Sequence, residues 1–318
     1  MNGTISRLVL NRIGLGVLTL FLVSLGVFVI TNLLPGDAAQ TALGQAATPA
    51  TVAALRLQFG LDQPAPLRYM HWLIGLLSGN PGFSLVNSLP VASLIAGRLP
   101  SSLLLAGITT AVSVPIALVL GITTAMYKGS AYDRIINVGT ISLVSVPEFL
   151  VATIAVLIFA VKLGWLSALS HTADIHSVGE FLKIYAMPVM TLCCVIVAQM
   201  ARMTRAAIID QLSSSYVEMA ALKGGSPTRI VLLHALPNAI GPIANAIALS
   251  LSYLLGGVII VESIFNYPGI ATLMIDAVST RDMPLIQACA MIFCLAYLLL
   301  VMVADICAIV SNPKLRNR

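Results

Sequence analysis

Long apolar runs separated by short polar joints set the pattern of this chain. The run from Leu10 to Leu34 is long enough to cross a bilayer and stops at Pro35-Gly36-Asp37, which predicts a first membrane span. Runs over Ser101 to Met126, Ile135 to Val161, Ala186 to Met203, Pro237 to Phe265 and Ile286 to Val310 predict the second to sixth, the fourth being the shortest. From residue 35 to 98 the composition turns mixed, with Leu61-Asp62-Gln63-Pro64 and a Tyr69-Met70-His71-Trp72 cluster suited to an interface, so this stretch reads as an extramembrane insertion with short helices. Prolines 115, 147, 188 and 242 fall in or beside the spans and are expected to kink them. The fold class is therefore all-α polytopic membrane protein. Residues 1–34 form a terminal segment with the first span, 35–98 the insertion, 99–310 a core of five spans and 311–318 a tail.

One joint, within 204–236, stands apart from the others. Tyr216-Val217-Glu218-Met219-Ala220-Ala221-Leu222-Lys223-Gly224-Gly225-Ser226-Pro227-Thr228-Arg229 is too polar for hydrocarbon and too rich in helix formers for an idle loop. Tyr216 to Lys223 allows about two helical turns, with Val217, Ala220 and Ala221 expected on one face and Glu218 and Lys223 pointing away. Gly224 and Gly225 are expected to supply left-handed backbone that ends this helix, and Ser226 and Pro227 to cap and open the next. Small residues here would let another protein's backbone come close.

Composition agrees with the span count and adds a direction. The chain is 58% hydrophobic and 9% charged, with mean hydropathy +0.99, which excludes an ordinary soluble domain. Its formal charge of +5 lacks a basic cluster with interleaved aromatics, so no nucleic-acid partner is expected. The cations instead mark a side. Arg7, Arg12, Lys128, Arg134, Arg202, Arg205, Lys223, Arg229, Lys314, Arg316 and Arg318 share one face, which the positive-inside rule makes cytoplasmic together with both termini. The five cysteines all lie in apolar runs without a C-x-x-C spacing and read as packing residues.

The pattern Glu218, Ala220, Gly224, Leu236, Pro237 resembles the cytoplasmic loop by which ABC-importer permeases dock onto an ATPase. The fuller string with His234-Ala235-Leu236-Pro237-Asn238-Ala239 is similar to the dipeptide, oligopeptide and nickel branch of that family. So are Leu163-Gly164-Trp165, the string from Gly256 to Gly269, and Arg281-Asp282-Met283-Pro284. Asn80-Pro81, Ser167 and the Ser311-Asn312-Pro313-Lys314 ending depart from the branch's usual pattern. The resemblance implies a type I importer permease fold in a bacterial inner membrane. Its partners would be a second homologous permease, two cytoplasmic ATPases carrying ATP and magnesium, and an extracytoplasmic solute-binding protein. The docking residues it implies are Tyr216, Val217, Glu218, Ala220, Ala221, Lys223, Gly224, Gly225 and Arg229. Di- or oligopeptides are the implied solute, with nickel, opines or sugars as alternatives.

The chain's own chemistry is consistent with a passive role in ATP turnover. No glycine-rich loop ends in Gly-Lys-Ser/Thr, since Lys223-Gly224-Gly225-Ser226 inverts that order, so no cofactor is expected on this chain and hydrolysis falls to another polypeptide. Glu148, Glu262 and Asp305 lie in or near apolar spans, where a carboxylate marks either a structural pair or a pathway. Glu262 is the preferred pathway residue, with Asn245 and Ser252 on the same span. An ion-coupled carrier would also use such groups, but the sequence shows no inverted repeat. His171, Asp174 and His176 do not match a known metal-ligand spacing, and no Ser/His/Asp or Cys/His set suggests an enzyme.

Overall fold

The computed structural model of the protein describes residues 2–33, 40, 47–58, 60, 62–170 and 177–310, and these residues are overwhelmingly helical. In chain order the helices are α1 (Asn2–Leu33), α2 (Pro49–Gln58), α3 (Ala65–Leu77), α4 (Val91–Met126), α5 (Ala131–Ser145), α6 (Glu148–Lys162), α7 (Val178–Leu212), α8 (Ser215–Leu222), α9 (Pro227–Ile264), α10 (Ile270–Thr280) and α11 (Met283–Val310). Among the described residues, five helices are long and apolar enough to cross a membrane, and α5 with α6 makes a sixth if the pair is one broken span.

That broken span goes beyond the kink expected at Pro147 within Ile135 to Val161. Proline 147 lacks an N–H and forces the residue before it out of the helical region, so Val146 is extended (φ −91°, ψ 127°) and the two halves meet at 99°. The fourth span also differs from its expectation. It is not the shortest but a 35-residue helix, because Ser177 and Glu180 close a reciprocal capping box well outside the apolar run and Pro188 is carried inside. The second begins at Val91 rather than Ser101, so the insertion ends earlier than the composition suggests.

The chain divides into two compact units, one of residues 1–13, 104–265 and 297–318, the other of 14–103 and 266–296. In the first, α7 and the Leu236–Ile264 part of α9 form the main helix pair, with α5 against α7 and the start of α6 against both. At the α4–α7 crossing a Cβ on Gly121 would lie 2.6 Å from Thr204 Cβ and 2.8 Å from the Ala201 carbonyl oxygen, so only glycine permits this approach. Below it, Ala125, Ala207, Ile208, Val231, Ala235, Ala239 and Ile243 build one apolar core. The stretch Val231–Ala235 of α9 is wound in the wider π form.

In the second unit, Val91 and Ile95 of α4 pack with Ile270, Ala277, Leu285, Ile286, Ala288 and Cys289 of α10 and α11. Helix α3 lies on α1 through Phe28, Tyr69 and Trp72, and Tyr69 and Ser24 share a hydrogen bond of 2.8 Å. Asp282, 1% exposed, binds the Ser84 hydroxyl and accepts from the Leu85 N–H at 3.1 Å, which fixes the loop ahead of α4.

Candidate functional site

Helix α8 and the turn after it form an elbow between two long helices. Tyr216 donates from its hydroxyl to Gln211 Oε1 at 3.0 Å and ties the short helix back to the last turn of α7. Val217 is 2% exposed and is the one buried side chain of α8. At the C-terminus the Gly225 N–H reaches the Ala220 carbonyl at 3.2 Å and the Gly224 N–H reaches the Ala221 carbonyl at 2.9 Å, the paired bonds of a Schellman turn.

The two glycines do different things. Gly224 has φ +82° and open space around it, so it supplies the left-handed conformation. Gly225 has no positive φ, contrary to expectation. A Cβ there would lie 3.0 Å from the Ala220 oxygen and 3.1 Å from Ile230 Cγ1, so it supplies close passage instead. Ser226 then caps the next helix, its Oγ accepting from the Arg229 N–H at 3.4 Å, with Pro227 at the first position as the sequence predicts. Ile230, Val231 and Ala235 are buried, the last two in the core of the unit, so the elbow is anchored at its exit.

The outer face of α8 also differs from the expected one. Ala221 is exposed rather than grouped with Val217 and half-buried Ala220, because the chain turns back across the Val217–Ala220 edge at Gly225 and leaves Ala221 outside. Ala221 joins Glu218, Met219 at 56% exposure and Leu222 at 77%, with Tyr216, Lys223 and Arg229 also exposed. Met219 and Leu222 were absent from the expected docking set, although a methionine and a leucine beside Glu218 and Lys223 on a two-turn helix are the signal for such a face.

The pathway candidates lie on α9. Asn245 and Ser252, seven residues apart, share a helix face, whereas Glu262 sits about 80° round from Ser252. Ser252 donates to the Ala248 carbonyl at 2.9 Å, Asn245 is half-buried, and Glu262 is fully buried. Asp305 pairs with Arg12 at 2.9 Å, the structural pairing expected of it. His234 is exposed in the π stretch, and His171, Asp174 and His176 lie outside the described residues.

A buried ion pair was not foreseen. Asp133, 3% exposed, accepts from Arg205 Nε at 2.7 Å and Nη2 at 2.9 Å, from the Gly129 N–H at 2.9 Å and from Asn137 Nδ2 at 2.6 Å. It clamps the first turn of α5 to α7 two turns before the elbow. The other distinctive string, Phe265-Asn266-Tyr267-Pro268-Gly269, proves to be internal. Phe265 and Tyr267 are fully buried, the Tyr267 hydroxyl donates to the Ser101 carbonyl at 2.7 Å, and the Ile270 N–H donates to Ser102 Oγ at 2.8 Å.

Helix α8 is thus an exposed two-turn helix with mixed apolar and charged residues, tied at both ends to the long helices around it. The family described as binding-protein-dependent transport system inner membrane component matches residues 117–317, and the N-terminal region of such membrane components matches residues 5–106. The chain belongs to this family. It is a permease subunit of an ABC importer, a multi-pass component of the inner membrane, and not itself an enzyme. This permease is similar to the glutathione transport system permease protein GsiC of Escherichia coli strain K12, at 36% identity over 300 residues covering 94% of this chain and 95% of that protein. It is also similar to the probable peptide ABC transporter permease protein y4tP of Sinorhizobium fredii, at 32% identity over 308 residues covering 97% and 98%. The permease works within a transport system that includes ATPase and binding-protein components.

Proposed function

We propose that this permease forms half of a translocation path for di- or oligopeptides and that α8 is the element its ATPase grips. The exposure of Glu218, Met219, Ala221 and Leu222 on a helix fixed at both ends carries this reading, because such a face transmits a push without absorbing it. The complete transporter pairs this chain with a second homologous permease, two cytoplasmic ATPases that hold ATP and magnesium, and an extracytoplasmic binding protein that delivers solute. Both termini and the elbow lie on the cytoplasmic side, where Lys128, Arg134, Arg202, Arg205, Lys223 and Arg229 collect.

ATP closes the ATPase pair, α8 moves with its groove, and α7 and α9 carry the displacement to the spans, so that the path faces alternate sides in turn. The permease binds no cofactor of its own in this cycle. The solute assignment rests on the peptide and glutathione relatives. Transport by the assembled complex is the test: Gly224→Asp and Glu218→Lys abolish uptake and solute-stimulated ATP hydrolysis while the permease still inserts. Normal uptake by both variants refutes the docking role, and uptake that follows the membrane potential without ATP refutes the importer cycle.

A further inference from the structure

Glu148 stands at the break of the third span, midway along an apolar stretch. The 15-residue helix α5 precedes it and the equally long α6 begins with it, each about 22 Å in length and set at 99° to the other. Non-helical backbone at that depth is tolerated where it lines a cavity or is enclosed by protein. The side chain is half-buried and, among the described residues, makes no hydrogen bond or ion pair, unlike Asp133 and Asp305, which have arginine partners.

Its surroundings make room for it. A Cβ on Gly257 of α9 would lie 2.7 Å from Glu148 Oε2 and 3.1 Å from Oε1, so the carboxylate rests in a notch that only glycine leaves open. Leu192 of α7 closes the same notch, with Cδ2 at 3.1 Å from that position. The two spans that meet there also bury hydroxyls without hydrogen-bond partners, Thr191 on α7 and Ser250 on α9, so this interior is more polar than the chain itself satisfies. A half-buried carboxylate that no described residue pairs is a seat for a cation.

We propose that Glu148, seated against Gly257, is the anionic station of the translocation path and takes the ammonium group of the passing solute. The inference rests on the permease reading and sharpens its substrate class to solutes that carry a free amine. A peptide enters with its amino terminus paired to Glu148 and leaves when the spans rearrange, and the single charge makes the station weak enough to release it.

The test uses the complete transporter with its own binding protein. Wild type, Glu148→Gln, Glu148→Asp and Gly257→Ala are compared for uptake of dialanine and of N-acetyl-dialanine, each above saturation of the binding protein. Glu148→Gln is expected to slow dialanine uptake about tenfold or more and to leave the slower acetylated peptide unchanged, with Glu148→Asp intermediate. Gly257→Ala, which displaces the carboxylate without removing it, is expected to behave like Glu148→Gln. Unchanged dialanine uptake in Glu148→Gln, or equal losses for both peptides, overturns the assignment. If wild type carries neither peptide, the peptide reading falls by itself, and the solute retained by the binding protein is identified by mass spectrometry. A solute without a cationic group overturns the role of Glu148, and one with such a group must be slowed by Glu148→Gln.

Discussion

The α8 elbow and the Phe265–Ile270 string are the two most distinctive passages of the chain, and they are opposite in exposure. The elbow leaves Met219 and Leu222 bare and commits only Val217 to the interior. The string buries Phe265, Tyr267 and Ile270 almost completely, and both the Tyr267 hydroxyl and the Ile270 N–H have partners about three turns into α4. A sharply defined motif therefore does not announce whether it serves a partner or the fold itself. Exposure and hydrogen bonding decide that, and stability measurements should separate the two.

Tyr267→Ala gives the largest expected loss, about 3–5 kcal/mol, because it removes a fully buried ring together with its hydrogen bond to the Ser101 carbonyl. Thermal unfolding of the purified complex reads it, and a small change there would break the contrast. Asp133→Ala, in the elbow's own unit, comes next at about 2–3 kcal/mol, since half-buried Arg205 is left without its partner. A second change, Arg205→Met, should recover much of that loss. Gly224→Ala is expected to cost about 1–2 kcal/mol through its φ of +82°, despite the open space around it. Tyr267→Phe keeps the ring and loses one hydrogen bond, for about 1 kcal/mol. Leu222→Ser should leave stability within about 0.5 kcal/mol. The same variant should lower ATPase co-purified with the permease about tenfold, a difference of about 1.4 kcal/mol in binding. Full ATPase recovery would remove α8 from the interface.

The parts legible in the sequence were those set by local rules. Glycine 224, Ser226 and Pro227 each fix a backbone choice within one turn, so the elbow's path could be read directly. Hydrophobic runs located the spans but not their ends. Polar residues such as Glu180 and Asp210 belong to the α7 helix without belonging to its apolar core, so the run from Ala186 to Met203 understated it. Proline 147 gave notice of a kink, though not of a 99° break. The distinction between Gly224 and Gly225 depended on where Ile230 would fall after the turn. Pairings across the chain left no local trace. Asp133 and Arg205 are separated by 72 positions, and Ser84 and Asp282 by 198, so each looked like an ordinary polar residue until the helices were assembled. Glu262, near the end of the Pro237 to Phe265 run, is fully buried and so part of the packed interior.

The π-wound stretch Val231–Ala235 sets the phase of everything after it. A π turn holds one residue more than the α turn it replaces, so deleting one of its residues would leave the phase of the downstream helix unchanged, whereas winding the same residues as regular α-helix would rotate it by about 100°. Asn245, Ser252 and Gly257 would all swing together to a different neighbour while the elbow stayed where it is. One surplus residue thus works as an angular register between the elbow and the long helix that follows it.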